Sequence, residues 1–222
     1  MKESCYVVKD SDGGNQDESR GTKGSSNGDA LVRAAEDGNI GALKILLQDP
    51  VGTPKRSQSE AGEALVVASR KGDIGAVSLI LQERKNVDCI NHQNKYGRTA
   101  MHYASQEGHT QVVNLLLQQS NVDINHEDGD GMTPLHDAAY RGHIEVVKLL
   151  LEQPSIDVNV RNKKGITPLW DASSRDGQVE IVNLLKASGG LMEIRRASGK
   201  NCVCARRTRR RDGRGSIRCA IS

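Results

Sequence analysis

Gly131-Met132-Thr133-Pro134-Leu135-His136 is one copy of a frame that recurs along this 222-residue chain. The frame returns as Gly97-Arg98-Thr99-Ala100-Met101-His102 and as Gly165-Ile166-Thr167-Pro168-Leu169-Trp170, so that Thr falls at 99, 133 and 167, a constant step of 34. Gly108 and Gly142, each followed by His, come nine residues after the first two Thr; the third copy reaches Gly177 after ten and therefore carries a one-residue insertion. Apolar runs follow: Val-Val-Asn-Leu-Leu-Leu at 112–117, Val-Val-Lys-Leu-Leu-Leu at 146–151 and Ile-Val-Asn-Leu-Leu at 181–185. The first two copies close on Asp123-Ile124-Asn125 and Asp157-Val158-Asn159.

Each piece has a local physical meaning. A Thr can cap a helix N-terminus, and a Pro in the first helical turn forgoes an N–H that would lack a partner there anyway. The first helix then runs about eight residues to a Gly able to take a left-handed conformation. In the second helix, Val146, Leu149 and Leu150 share one face, and Val147 with Leu151 widens the stripe. Ala138 and Ala139 keep the first helix thin enough for a neighbour to approach. No single unit of this kind buries its own apolar face, so the units must stack.

The four submotifs, in register, resemble the ankyrin repeat, and the resemblance covers roughly residues 29–190. It implies an all-α repeat solenoid of helix–loop–helix units with β-hairpin or turn connections, about five repeats in all, near 29–60, 61–94, 95–128, 129–162 and 163–190. The two upstream copies, Asp29–Leu47 and Glu63–Leu81, lack Thr-Pro-Leu-His, but their Gly38 and Gly72 keep the spacing of 34. The first is expected to act as an N-terminal cap. Between them, Gln48–Gly62 is expected to replace the usual hairpin with a longer, more polar link. Gly41 and Gly75 near helix starts each weaken a helix by up to about 1 kcal/mol, so the first two repeats are expected to be the softest.

Composition agrees with this architecture. Aromatic residues make up only 2% of the chain and Phe is missing, so the core must be assembled from small aliphatic side chains at regular spacing. The net charge of +3 hides a division: residues 191–222 hold ten Arg and Lys against two acidic residues, the remainder 21 against 26. Residues 1–27, rich in Ser, Gly, Asp and Asn, are expected to be disordered. At 199 a sixth unit opens only in its Gly, 34 residues after Gly165; the following Arg run ends any apolar pattern, and 191–222 is expected to be a basic, disordered tail. Arg206, Arg207, Arg209, Arg210 and Arg211 admit three readings: a nuclear localisation signal, a nucleic-acid contact, or a solvated tail.

Several chemistries find no support. Cys5, Cys89, Cys202, Cys204 and Cys219 are odd in number and irregularly spaced, which fits neither a disulfide framework nor a zinc module. His126-Glu127-Asp128-Gly129-Asp130-Gly131 breaks the calcium-loop frame and reads as a hairpin tip. Of His92, His102, His109, His126, His136 and His143, four stand where the resemblance gives His a role in supporting turns and helix ends. No nucleophile motif, phosphate loop or paired catalytic constellation is visible, so no enzyme activity, cofactor or metal is expected. The opening residues lack the apolar run of a signal peptide, and no stretch reaches the length of a membrane span. A soluble monomer is expected, in the cytoplasm with the nucleus as the alternative.

The resemblance places partners on a concave face of hairpin tips and first helices. Here that face would comprise Tyr96, Arg98, Tyr103, Gln106, Asp130, Met132, Asp137, Tyr140, Arg141, Lys164, Ile166, Trp170, Asp171 and Arg175. Three of the four Tyr and the single Trp fall in this set, residue types that dominate binding energy at interfaces; for Tyr103 and Trp170, packing between repeats is the competing reading. The expected function is protein binding as a module or adaptor, with a nuclear or nucleic-acid-associated regulator and an enzyme inhibitor as alternatives. The Asn of the closing motif is implied to brace the hairpin, and Asn125 and Asn159 are candidates for hydroxylation.

Overall fold

The computed structural model describes residues 27–48, 54–83, 89–175, 177–195 and 201–203. Five helix pairs follow one another: α1 (Asn27–Glu36) with α2 (Ile40–Gln48), α3 (Pro54–Lys71) with α4 (Ile74–Glu83), α5 (Ala100–Glu107) with α6 (Thr110–Leu117), α7 (Pro134–Arg141) with α8 (Ile144–Leu151), and α9 (Pro168–Ser173) with α10 (Val179–Ala187). The odd-numbered helices pack in one row, α1 through α9, and the even-numbered helices in a second. This is the expected helical repeat solenoid.

The two rows use different side chains. In the first row Ala34, Ala68, Ala104, Ala138 and Ala172 recur at one position and are almost fully buried, so neighbouring backbones come close. The second row supplies bulk: Leu43, Val77, Val113 and Val147, then Ile80, Leu116, Leu150 and Leu185, are inaccessible to solvent. Full burial of such a side chain contributes roughly 1.5–3 kcal/mol. The glycines that end the first helices do adopt positive φ, +75° at Gly108 and +87° at Gly142. In the fifth repeat α9 stops early at Ser173, and the extra residue is taken up before Gly177 (φ +93°).

Polar bonds stitch the repeats. Thr99 N–H donates to His102 Nδ1 (3.2 Å), and the Thr99 hydroxyl lies 2.9 Å from the same atom. That leaves Nε2 as the N–H that donates to the Met132 carbonyl of the next repeat (3.0 Å). Thr133 and His136 repeat the arrangement, with Nε2 on the Ile166 carbonyl (3.1 Å). Burial holds the His102 imidazole down to about 4, against its bond to the Met132 carbonyl, and lowers His136 for the same reason. Both rings are therefore neutral at physiological pH. Trp170 stands at the third copy of this position and offers no ring acceptor, so the Thr167 hydroxyl turns to the Leu191 carbonyl instead (2.7 Å).

A second set of staples ties the end of each first helix to the following repeat. The Arg70 carbonyl accepts from His109 Nε2 (3.0 Å), the Gln106 carbonyl from His143 Nε2 (2.8 Å) and the Tyr140 carbonyl from Gln178 Nε2 (3.2 Å). At the first junction Lys71 Nζ donates to the Glu36 carbonyl. The closing Asn residues form a third set. Asn125 donates through Nδ2 to the Ser155 carbonyl (2.7 Å) and accepts at Oδ1 from Asp157 N–H (2.9 Å). Asn91 and Asn159 do the same towards Asn121 and Asp123, and towards Gly189 and Leu191. The bracing thus reaches one repeat onward.

Two stretches differ from expectation. The link before the second repeat is helical from residue 54, making α3 18 residues long. A Pro at the helix start and a sequence free of β-branched residues through 64 permit this, and Ala61, Ala64 and Ala68 bury one face. Gly62 lies beneath His92, where a Cβ would come within 2.3 Å of the ring Cγ. At the other end, β1 (Glu193–Arg195) pairs antiparallel with β2 (Asn201–Val203), with Ile194 opposite Cys202. These two short strands fall within the segment expected to be a disordered tail, at the place where a sixth hairpin would stand. The expectations for 1–26 and for Arg206–Arg211 lie outside the described residues, as do Cys5, Cys204 and Cys219.

Candidate partner-binding face

Asn94, Asp128 and Asn162 shape the hairpin tips. Each lies at the start of a tip and accepts two backbone N–H groups at Oδ1: Tyr96 and Arg98 on Asn94 (2.9 and 3.0 Å), Asp130 and Met132 on Asp128 (both 2.9 Å), Lys164 and Ile166 on Asn162 (both 3.0 Å). These side chains hold the turn open to the shape that Gly97, Gly131 and Gly165 then complete at positive φ. Successive tips bond through the backbone, Gly129 N–H to the Tyr96 carbonyl (2.8 Å) and Lys163 N–H to the Asp130 carbonyl (2.9 Å). The segment His126–Gly131 is thus a hairpin tip in which Asp128 Oδ1 is spent on its own turn.

The remaining atoms of these residues reach across the face. Asn94 Nδ2 donates to the Tyr103 hydroxyl (2.8 Å). Asp128 Oδ2 accepts from Arg98 Nε (3.0 Å), and the Arg98 guanidinium also reaches Asp137 Oδ1 (3.1 Å) and Gln106 Oε1. Arg98 lies 5.7 Å from the centre of the Tyr103 ring. Arg98, Gln106, Asp128 and Asp137 thus form one network spanning the third and fourth repeats. Its charges are largely turned inward: the Asp128 and Asp137 side chains are 3% and 8% exposed.

The expected face is therefore two populations. Tyr96, Asp130, Arg141, Lys164 and Arg175 are exposed; Arg98, Tyr103, Gln106, Met132, Tyr140, Ile166 and Trp170 are half-buried. Asp137 and Asp171, expected on the exposed side of their helices, are buried instead. They occupy the same position in successive helices, where Tyr103 stands in the third repeat. Burial pushes the Asp137 carboxyl up to about 7 in spite of Arg98. Burial and then the charge of Asp137 push Asp171 up to about 7, against Lys164 and Arg175. Each keeps a buried Oδ2 without a hydrogen-bond partner.

Two contacts draw the exposed residues together. The Arg175 guanidinium lies 3.9 Å above the Tyr140 ring, from the next repeat, and Lys95 Nζ lies 4.9 Å from the Tyr96 ring. Trp170 stands, half-buried, at the register position that His102 and His136 occupy in the two preceding repeats. The pivot that residue reading did not single out is Asp128. Its signal is its register with Asn94 and Asn162, one step of 34 apart, but its second role towards Arg98 depends on a contact 30 residues away.

Among the described residues, no group of three or more His, Cys, Asp or Glu side chains is arranged to hold a metal ion, and no helix is long and apolar enough to cross a membrane. Comparison with curated proteins gave no match. The family model for ankyrin repeats (3 copies) matches residues 31–128 and 120–195, well over half of the sequence. Ankyrin repeats are in general protein–protein interaction modules. The recurring Thr-capped helices, the tip-to-tip bonds and the family match agree, and the chain belongs to the ankyrin-repeat family.

Proposed function

We propose that this protein is a non-enzymatic binding module or adaptor that holds a partner protein against its hairpin tips and first helices. The observation that carries the reading is the pairing of Arg175 with Tyr140 and of Lys95 with Tyr96 on that face, amphipathic aromatic groups presented with cations by a scaffold braced by the Arg98 network. Aromatic rings and Arg make the strongest anchors at protein interfaces. Fixing them on a bonded scaffold reduces the entropy lost on binding. The partner is a protein, the chain acts as a monomer, and its place is the cytoplasm. Hydroxylation of Asn125 and Asn159 belongs to the same reading, and intact mass with and without an asparaginyl hydroxylase checks it.

The test is capture from lysate followed by identification of bound proteins, comparing the full chain with Tyr96→Ala/Tyr140→Ala/Arg175→Ala and with a chain ending at 203. Circular dichroism first establishes that both variants fold. Loss of one protein with the triple variant, and its retention by the shortened chain, supports the adaptor. Inhibition of that protein's activity by the repeats would make the chain an inhibitor. The charge division favours one second reading, a nuclear or nucleic-acid-associated regulator working through Arg206–Arg211. Capture that follows the tail, falls steeply with salt and vanishes with nuclease would establish it over the first.

A further inference from the structure

The outer end of the first repeat carries side chains of the wrong kind for a surface. Position by position, Ala42, Ile45 and Leu46 of α2 correspond to Ala76, Leu79 and Ile80 of α4, to Val112, Leu115 and Leu116 of α6, and to Val146, Leu149 and Leu150 of α8. In the later repeats the first and third of each trio are at most 1% exposed. In the first repeat Ala42 and Leu46 are only partly buried, and Ile45 is 72% exposed. On α1, Ala30 likewise loses the burial that Ala64 and Ala100 have. Burial fails only where no preceding repeat stands among the described residues, so these positions are the ones that face backward along the stack. A terminal repeat left open to water requires a polar outer face. This one keeps the apolar residues of an interior repeat.

We infer that Cys5-Tyr6-Val7-Val8 of the same chain covers this end, docking on Ile45, Leu46 and Ala42. Among residues 1–26 it is the one run of apolar side chains. The 18 residues from 9 to 26 that join it to α1 are rich in Gly, Ser, Asp and Lys, and such a linker has a root-mean-square reach of about 23 Å. The ten residues of α1 span about 15 Å, and α2 packs directly on α1, so the patch lies within that reach. Tethering sets an effective concentration in the millimolar range, far above what a second copy supplies at ordinary protein concentration.

A disulfide trap on the full chain tests this. Ile45→Cys replaces an exposed side chain and offers a partner to the native Cys5; Asp37→Cys, exposed in the same repeat and within the same reach of the tether but off the apolar patch, is the control. Under mild oxidation, non-reducing peptide mapping is expected to find a Cys5 link to position 45 within the monomer, forming at least tenfold faster than the link to position 37. Equal rates, or a dimer joined through position 45 on both copies, would overturn the inference, the latter giving the face to a second copy. As an independent readout, Tyr6→Asp/Val7→Asp is expected to raise amide hydrogen exchange in α2 and leave α8 unchanged. Unchanged exchange in α2 also overturns it.

Discussion

The first two repeats and the middle two share a backbone but not a way of holding together. In the third and fourth, His102 and His136 each accept from their own Thr and donate to the next repeat, while His109 and His143 reach back to the preceding one. The first two have Val32 and Val66 at the one position and Asn39 and Asp73 at the other, where the side chain only caps its own helix, bonding Ala42 N–H and Ala76 N–H (both 3.0 Å). The early repeats therefore adhere chiefly through apolar contact, with the exposed Lys71–Glu36 bond beside it. The middle ones add directional bonds that fix register as well as distance, and that register is what sets the Arg98–Asp128–Asp137 network across the candidate face.

The largest effect should come from the buried imidazoles. His136→Ala removes a filled volume and orphans the Ile166 carbonyl and the Thr133 donors, so a loss of about 3–4 kcal/mol is expected in denaturant unfolding. Val66→Ala, at the matching position, should cost about 1–2 kcal/mol. Equal losses would break the contrast. The glycines give a second comparison. Gly108→Ala meets both a φ of +75° and His143 Nδ1 at 2.5 Å, whereas Gly38→Ala meets a φ of +65° but nothing nearer than 3.5 Å. Gly108→Ala should lose about 2–3 kcal/mol and Gly38→Ala about 1–2 kcal/mol, read from thermal unfolding.

Asp171 offers an effect of opposite sign. Its carboxyl stands at about 7 when folded and near the ordinary 3.8 when unfolded, so the folded state holds the proton more tightly between those values. Its favourable contribution is full below about 4 and is lost as pH rises towards 7. Asp171→Asn should thus stabilise the fold by about 1–2 kcal/mol at pH 8, a gain that shrinks as the pH is lowered to 4. The neutral histidines run the other way. His102, at about 4 when folded against 6.5 unfolded, contributes stability above 6.5 that is lost as pH falls towards 4. A gain from Asp171→Asn that is the same at every pH would show that the carboxyl is not protonated in the fold. The smallest effect is expected at the first junction, where Lys71→Ala removes an exposed bond and should shift stability by no more than about 0.5 kcal/mol.

Much of the fold was legible because its rules are local. A Thr before a helix, a Gly after it and a Leu every three or four residues act within a dozen residues, and a period of 34 repeats them until stacking is the only way to bury them. The site was half legible. The list of face residues could be read by register, but Asp137 and Asp171 carry the polar character of surface residues and are buried, a consequence of stacking in the first-helix row that no local pattern records. Residues 54–62 read as a polar link, and nothing local in them reports that His92, 30 residues beyond Gly62, sits against their glycine.

By itself the sequence determined the repeat, its period, the helix ends and the neutral, aliphatic core. The tertiary structure alone decided which way each polar side chain is spent: Asp128 on its own turn and on Arg98, the Thr167 hydroxyl on Leu191, Arg175 on Tyr140, and the end face of α2 on nothing among the described residues. The physical reason is distance. Hydrogen bonds and ring contacts act over a few ångströms between residues that stacking brings together from 24 to 39 positions apart, and no local pattern records which neighbour will arrive.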